Sequence, residues 1–511
     1  MGEVSMKILL VDILRTSLEE VWPSAEHSLG LMYLASALKQ KFVDDVHIVL
    51  QTLISKPHQI SEDIENIYKW LDENQPDLVG IRSLSIGKDI FHIAAKTVKE
   101  WNAECFVAAG GPYPTDDPEG SLNSGFVDCT VIGEGEITFT ELIERLLKKE
   151  DWSDVHGIAF RNNGKSIVSS PRAMISDLDT IPFPDYSIVD IERFSNQFLT
   201  FTSKISKPHA NIMTTRGCPY RCAYCHNILG KKFRARSPES VLSEMRYIHD
   251  AYGIADFQII DDIFNLDMDR AKRICDLIIQ SGLNLTLSFP NAIRGDRVDE
   301  ELMDKMAKAG TKFISYAVET ASPRMQKLIR KNLDLDKVHK AIDYTTKVGI
   351  VTRGFFMLGF PAETEEEVLQ TIEYAKSSAL CGATFFTVVY FPGTELYKLA
   401  RSLGYFRNDD YDVQRDYVNV GEGPYDFSVD TLTALKKKAI REFAFTKERI
   451  DRALSLLPSY FTQREIDGFF MAYVVSSRAT VDEIEDESVR IRLHRYFVIA
   501  EKFSKKGEFY V

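Results

Sequence analysis

Cys218, Cys222 and Cys225 stand at C-x-x-x-C-x-x-C spacing within Thr214-Thr-Arg-Gly-Cys-Pro-Tyr-Arg-Cys-Ala-Tyr-Cys-His-Asn227. Thiolates are soft ligands that suit an iron–sulfur cluster, zinc or cuprous ion. Three of them on one loop can hold three corners of a cubane cluster and leave its fourth iron open. A structural zinc wants four closed ligands, and the fourth here would have to be His226 or a distant cysteine. Downstream, charged residues fall at the ends of apolar runs: Asp261 and Asp262, Arg294, Glu319 and Arg353. The turn Gly359-Phe-Pro-Ala-Glu363 is placed in the same way. For any one of these the plain alternative is a helix cap or a salt bridge.

The elements that must position them alternate strand and helix. Ala210–Thr214 reads as a strand leading into the cysteine loop. Further strands are expected at Asp256–Ile260, Leu285–Phe289 with Asn291–Arg294, Phe313–Val318, Arg353–Leu358 and Thr384–Tyr390, with helices between, such as Glu239–Ala251 and Asp269–Gln280. Six such units predict a partial barrel, whose ligand site belongs at the carboxyl ends of its strands. The cysteines follow the first strand, as that geometry requires.

The amino-terminal third has the same rhythm, with short apolar strands at Met6–Asp12, Asp45–Leu50, Asp77–Arg82, Cys105–Gly111 and Val127–Ile132. Helices between them predict a doubly wound parallel sheet. Ligands of such sheets lie outside the strand ends, where small residues let backbone approach. Here those ends carry Ser83, Gly110-Gly111 and Gly133-Glu134-Gly135. The fold class is therefore α/β throughout, followed by helices. The expected divisions are a sheet domain over 1–150, a linker with some strand character over 151–207, the barrel over 208–398 and a helical region over 399–511. In that last region a long helix is expected over Thr431–Leu457 and further helices over Arg464–Ser477 and Val481–Lys505, closing the barrel mouth and shaping the substrate site.

The cysteine spacing, with Tyr224 before the last cysteine, resembles the signature of radical S-adenosylmethionine (SAM) enzymes. That resemblance implies a 4Fe-4S cluster held by Cys218, Cys222 and Cys225, its open iron chelating SAM, and reductive cleavage of SAM to a 5′-deoxyadenosyl radical. It places Glu319 on the SAM ribose and Gly359 near the adenine. Asp261 or Asp262 is left for the methionine amino group, and Arg294 and Arg353 are candidates for the carboxylate. The strand-end residues Ser83, Gly110, Gly111, Gly133, Glu134 and Gly135 resemble those of the cobalamin-binding domain that precedes many radical SAM domains, although a flavodoxin-like or Rossmann sheet holding another ligand uses similar ends. Many cobalamin domains carry Asp-x-His-x-x-Gly after the first strand. This chain reads Asp12-Ile-Leu14-Arg-Thr-Ser17, with leucine at the histidine position. The resemblance thus implies cobalamin without that histidine ligand, with His27 as the nearest other histidine and more readily read as an exposed one.

By the same resemblance the activity is methylation of an unactivated carbon through methylcobalamin and a 5′-deoxyadenosyl radical. The alternatives are a non-methylating cyclisation or rearrangement on the same cofactors, or a cobalamin- or SAM-sensing binding protein. A methylthiotransferase would need three more cluster cysteines, which Cys105 and Cys129 alone do not supply. The chain has 511 residues, 44% hydrophobic and 27% charged, and a net charge of −13. That composition describes a multi-domain globular protein and argues against binding nucleic acid through phosphate neutralisation. The local basic run Lys231–Arg236 reads either as a solvated loop or as a holder of an anionic cofactor. With no run of eighteen apolar residues and no leader-like start, a cytoplasmic enzyme is expected. Its partners are a small-molecule or natural-product substrate and a low-potential electron donor of flavodoxin or ferredoxin type. Cys105, Cys129, Cys275 and Cys381 read as buried core thiols.

Overall fold

Strand β1, Met6–Arg15, shows how the amino-terminal sheet is built. Leu9, Val11 and Ile13 pack with Ile67, Leu71 and Phe91 on one face. Ile8 and Leu10 pack with Leu31, Ala35, Leu38 and Phe139 on the other. Side chains alternate along a strand, so a nearly continuous apolar run feeds two helical layers at once. The computed structural model describes residues 5–15, 28–56, 59–191, 208–226, 228–405, 423–477 and 480–505. The chain divides into two compact units, Met1–Phe194 with Asn227–Ala235, and Ser195–His226 with Arg236–Val511.

In the first unit β2 (Val46–Ser55), β3 (Leu78–Ser83), β4 (Phe106–Gly110) and β5 (Cys129–Val131) join β1 in one sheet of order β2-β1-β3-β4-β5. Every pair among them is parallel. β1 and β2 run several residues past their expected ends because Ile13 and Leu53 are also core residues. The sheet gains β6 (Ile158–Asn162) and β7 (Lys165–Val168), both antiparallel, which give form to the strand character expected within 151–207. Asn163 and Gly164 form their two-residue turn, with φ of +50° and +78°, the type I′ geometry that suits a tight hairpin. The segment after it is tied to the helix Leu29–Phe42: Ser36 donates to the Phe183 carbonyl at 2.5 Å and Lys39 pairs with Asp185 at 2.6 Å. His27, Thr16 and Ser17 lie outside the described residues.

The second unit holds six parallel strands in chain order: β8 (His209–Ile212), β9 (Asp256–Ile259), β10 (Thr286–Ile293), β11 (Thr311–Glu319), β12 (Val351–Leu358) and β13 (Gly382–Thr387). Glycine caps such as Gly253 and Gly282, in the left-handed region, stop the helices between them. The expected long helix over Thr431–Leu457 is two helices, Val429–Ala444 and Lys447–Leu456. The second starts where the Thr446 side chain accepts from the Arg449 amide. Tyr405–Tyr425 shows no clear period in the sequence, and residues 406–422 of it lie outside the described residues.

The region begins beside the turn after β12, where the Pro424 carbonyl accepts from the Ala362 amide at 2.5 Å and the Asp426 amide donates to the Glu363 carbonyl at 3.1 Å, and its later helices pack at the opposite end of the barrel. Ile450, Leu457, Phe470, Val489 and Leu493 pack against Phe313 and Val351, near the starts of β11 and β12, and against Cys381, just before β13. Arg449 donates to the carbonyls of Ser378 (3.0 Å), Lys376 (2.9 Å) and Leu380. Tyr473 Oη accepts from the Ala383 amide at 2.7 Å. The helices from Lys447 onward therefore cover the foot of the barrel, where strands begin, whereas Leu432 of the helix Val429–Ala444 lies 2.9 Å from a Cβ built on Gly359, after the end of β12.

Candidate active site

At the mouth, β8 runs into the thiol loop, and Asp261 at the end of β9 holds the junction. Its carboxylate accepts from the Thr214 amide and hydroxyl, both at 2.5 Å, and from the Thr215 amide at 3.1 Å. Burial raises the pKa of Asp261, while those bonds and Arg270 oppose the rise. Asp261 is thus a structural brace, not a group offered to a ligand. Its neighbour Asp262 is exposed and accepts from the Gly217 amide at 3.3 Å, beside Cys218.

The thiol loop is also fixed farther on, by Ala223. Its amide donates to the Ile329 carbonyl at 2.8 Å, and its carbonyl accepts from the Leu396 amide at 2.7 Å. Ala223 is buried with Met325, Phe360 and Tyr390. Cys218 and Cys222 are half-buried, Cys225 is exposed, and none is in a disulfide. Among the described residues no three His, Cys, Asp or Glu side chains meet in a metal-holding group. The donor set nevertheless fits a cubane: three soft thiols on one anchored loop, with Asp262 beside its start.

Between Cys222 and Cys225, Tyr224 reaches Glu319, the last residue of β11. Glu319 Oε1 accepts from Tyr224 Oη at 2.9 Å and from Lys331 Nζ at 2.7 Å, and Nζ also donates to Tyr224 Oη at 3.0 Å. Glu319 and Lys331 are both buried. Burial first, then the charges of Glu319, Cys222 and Cys225, push the Tyr224 hydroxyl well above its ordinary pKa and keep it a donor. Glu319 has φ +69°, a conformation rare for a side-chain-bearing residue and found where a site dictates the backbone.

The two arginines lie elsewhere. Arg294 pairs with Asp296 at 2.7 Å, stacks 3.9 Å over the Tyr220 ring, and donates to the carbonyls of Lys331 (3.0 Å) and Asn332 (3.3 Å). It is a strut for the turn that carries Lys331. Arg353 is fully buried between Phe313 and Phe355 and donates to Ser315 Oγ at 2.9 Å and the Pro290 carbonyl at 3.1 Å. It stands five residues before the end of β12, roughly 16 Å down the strand, and belongs to the lower barrel. Gly359, at φ +92°, begins the turn after β12. Its amide (2.6 Å) and that of Phe360 (3.0 Å) donate to Glu363 Oε2. Burial pushes the Glu363 carboxyl up to about 8 despite those bonds.

In the first unit the strand ends divide in the same way. A Cβ built on Gly110 or Gly133 would meet nothing within 4 Å, so both present open backbone to an approaching ligand. On Gly111, at φ +87°, it would lie 2.7 Å from the Arg82 side chain, and on Gly135 2.9 Å from Leu34. Those two glycines serve a turn and a tight packing contact. Ser83 is buried and donates to the Leu84 carbonyl at 2.9 Å. Glu134 is committed to the chain itself: it accepts from Arg234 and from the Ile175 amide, each at 2.8 Å. Within the basic run, Arg234 and Arg236 are thus committed to carboxylates of the chain, Arg236 to buried Glu244, while Lys232 is exposed. Leu14 pairs with Ile54 across β1 and β2, and Asp12 is turned to Arg82 at 2.6 Å. Open glycine backbone at two strand ends fits a large planar ligand such as a corrin.

Lys331 and Arg82 escaped the sequence reading, because nothing in their spacing marks them. Cys105, Cys129, Cys275 and Cys381 are buried, and burial pushes the Cys105 and Cys275 thiols up to about 12.

Residues 212–375 match the Radical SAM superfamily model and residues 20–143 the B12 binding domain model. An uncharacterized methyltransferase of Pyrococcus horikoshii is 32% identical over 401 residues, covering 77% of this chain and 83% of that protein. Cytidylyl-2-hydroxyethylphosphonate methyltransferase of Streptomyces wedmorensis is 29% identical over 435 residues, covering 76% and 80%. The fold is shared with the radical SAM methyltransferase TsrM of Kitasatospora setae, solved with cobalamin and a [4Fe-4S] cluster. The TM-score is 0.65 at 19% identity, with 78% of each chain covered.

Proposed function

Because the chain belongs to the cobalamin-dependent radical SAM enzymes, we propose that it transfers a methyl group to an unactivated carbon of a small-molecule substrate. The observation that carries this reading is the 401-residue match to a relative named as a methyltransferase. When bound, the cluster, SAM and cobalamin supply a transferable methyl group and a radical able to abstract hydrogen.

The residues of the chain have distinct duties in this reading. Cys218, Cys222 and Cys225 would hold the cluster. Asp262, exposed beside the start of the loop, is the carboxylate for the SAM amino group, in place of the buried Asp261. Glu319 accepts from the ribose, and Tyr224 holds it in line with the thiol loop. Gly359 and its turn border the adenine. Gly110 and Gly133 admit the corrin, with Ser83 and Gly111 shaping the same edge. Leu14 offers no nitrogen and Asp12 is engaged with Arg82, so neither residue would serve as a donor to a bound cobalamin. The reaction is assigned to the cytoplasm, with a flavodoxin- or ferredoxin-type protein as electron source. No helix among the described residues is long and apolar enough to cross a membrane.

The test is anaerobic incubation of the reconstituted protein with cobalamin, reductant and SAM labelled in its methyl group. Label on cobalamin together with 5′-deoxyadenosine supports methyl transfer. 5′-Deoxyadenosine with no label on cobalamin, even with candidate substrates present, favours non-methylating chemistry. Neither product, from protein holding both cofactors, returns the chain to a binding role. Replacing Cys222 with Ala is expected to abolish SAM cleavage while the cobalamin absorption spectrum and affinity remain; loss of both together would contradict two separate sites.

A further inference from the structure

Lys331 stands in a turn built to hold one side chain. Its neighbours Arg330 and Asn332 both take left-handed backbone, φ +55° and +49°. Gln326, itself buried, fastens the turn to the end of β11. Its carbonyl accepts from the Lys331 and Asn332 amides (3.1 and 3.3 Å), and its amide group donates to the carbonyls of Val318 and Thr320 (3.0 and 2.7 Å). Arg294 braces the turn from the other side. Backbone held this way in sparsely populated conformations, by two separate supports, marks a position fixed for its side chain.

The hydrogen bonds around Nζ show what that side chain has left to give. An ammonium carries three protons; one goes to Glu319 Oε1 and one to Tyr224 Oη. Glu319 Oε1 is filled by Lys331 and Tyr224, whereas Oε2 makes no hydrogen bond among the described residues. One acceptor, Oε2, and one ammonium proton therefore take part in no hydrogen bond among the described residues, and both belong to groups that meet at Glu319 Oε1. A carboxylate alone can only accept. A hydroxyl group that gives its proton to Oε2 also needs a donor for its own oxygen, and Nζ supplies it. We propose that Lys331 is a second ribose-recognising residue, donating to a hydroxyl oxygen of SAM while Glu319 accepts from the hydroxyl, and so reading a hydroxyl as donor and acceptor at once. This rests on the assignment of the mouth to SAM.

The experiment measures equilibrium affinity of the cluster-loaded protein for SAM and for its 2′-deoxy and 3′-deoxy analogues. The wild type is expected to bind one deoxy analogue roughly 10-fold or more weakly, the size expected for lost hydrogen bonds to charged groups. Lys331→Met should bind SAM more weakly and lose most of that discrimination, and Lys331→Arg should restore it. Lys331→Met that keeps wild-type discrimination overturns the proposal, as does a wild type that binds both deoxy analogues as tightly as SAM. A wild type that does not bind SAM overturns the parent assignment instead. Because Lys331→Met leaves the Glu319 charge buried, the comparison is repeated between Glu319→Gln and Glu319→Gln/Lys331→Met, which lack that charge. The single variant should keep a residue of discrimination that the double loses; equal behaviour of the two overturns the role of Lys331.

Discussion

Ala362 carries a left-handed backbone, φ +55°, where glycine alone is unstrained. Replacing it with glycine relieves the Cβ clash and loosens the unfolded chain, a net gain of roughly 0.5–1 kcal/mol in unfolding free energy. Chemical denaturation would read this gain, and an unchanged or lower value would refute it. Its neighbour Glu363 provides a pH test. Burial raises this acid from 4.5 to about 8, so between those values the folded chain holds a proton that the unfolded chain has released. Stability therefore declines as pH rises through that window. Glu363→Gln should flatten the decline, seen as a smaller fall in Tm between about pH 5 and pH 8. That Tyr224 of the thiol loop and Glu319 would meet was legible because the linear motif and the strand rhythm put both at strand ends. The partners of Asp261, Arg294 and Arg353 were not legible, because a sequence shows a charge at a strand end but not what it bonds. Lys331 had no signal: its place follows from two left-handed residues whose conformation spacing cannot reveal.

At the scale of elements, periodicity was the readable quantity. It located every parallel strand of both sheets, since each is a short apolar run between helical patterns. The Asn163-Gly164 turn was equally readable as a hairpin and went unused, as did Thr446, a cap residue in the middle of an expected helix. Which end of the barrel the last helices cover was not readable, because an apolar helix face does not say which apolar surface it meets. The foot can be tested through Arg449, which satisfies several strand-loop carbonyls and stacks 4.0 Å over Phe443. Arg449→Ala leaves those carbonyls buried and unmet, and should lower the unfolding free energy by about 3 kcal/mol. SAM affinity should remain as in wild type, because the mouth is untouched; a parallel loss of affinity would place these helices in the binding site after all.

For the molecule as a whole, the path of the chain matters more than any single strand. The first unit is completed by Asn227–Ala235, a segment that comes soon after the thiol loop in the chain. Arg234 in that segment and Glu134 in the loop after β5 form an ion pair with both side chains under 5% exposed. A fragment ending at residue 194 lacks Arg234 and strands the Glu134 carboxylate. It should be less stable by roughly 3–5 kcal/mol than the same unit with its pair intact, and Glu134→Gln should recover much of the loss. Equal stability of the fragment with and without that substitution would refute the coupling. The consequence reaches beyond folding to descent. A gene segment can be exchanged between proteins as a cassette only when one contiguous stretch encodes one folding unit. Here a single recombination breakpoint in the stretch joining the units would part the cofactor sheet from the piece that completes it, so this pair is expected to be inherited as one indivisible block.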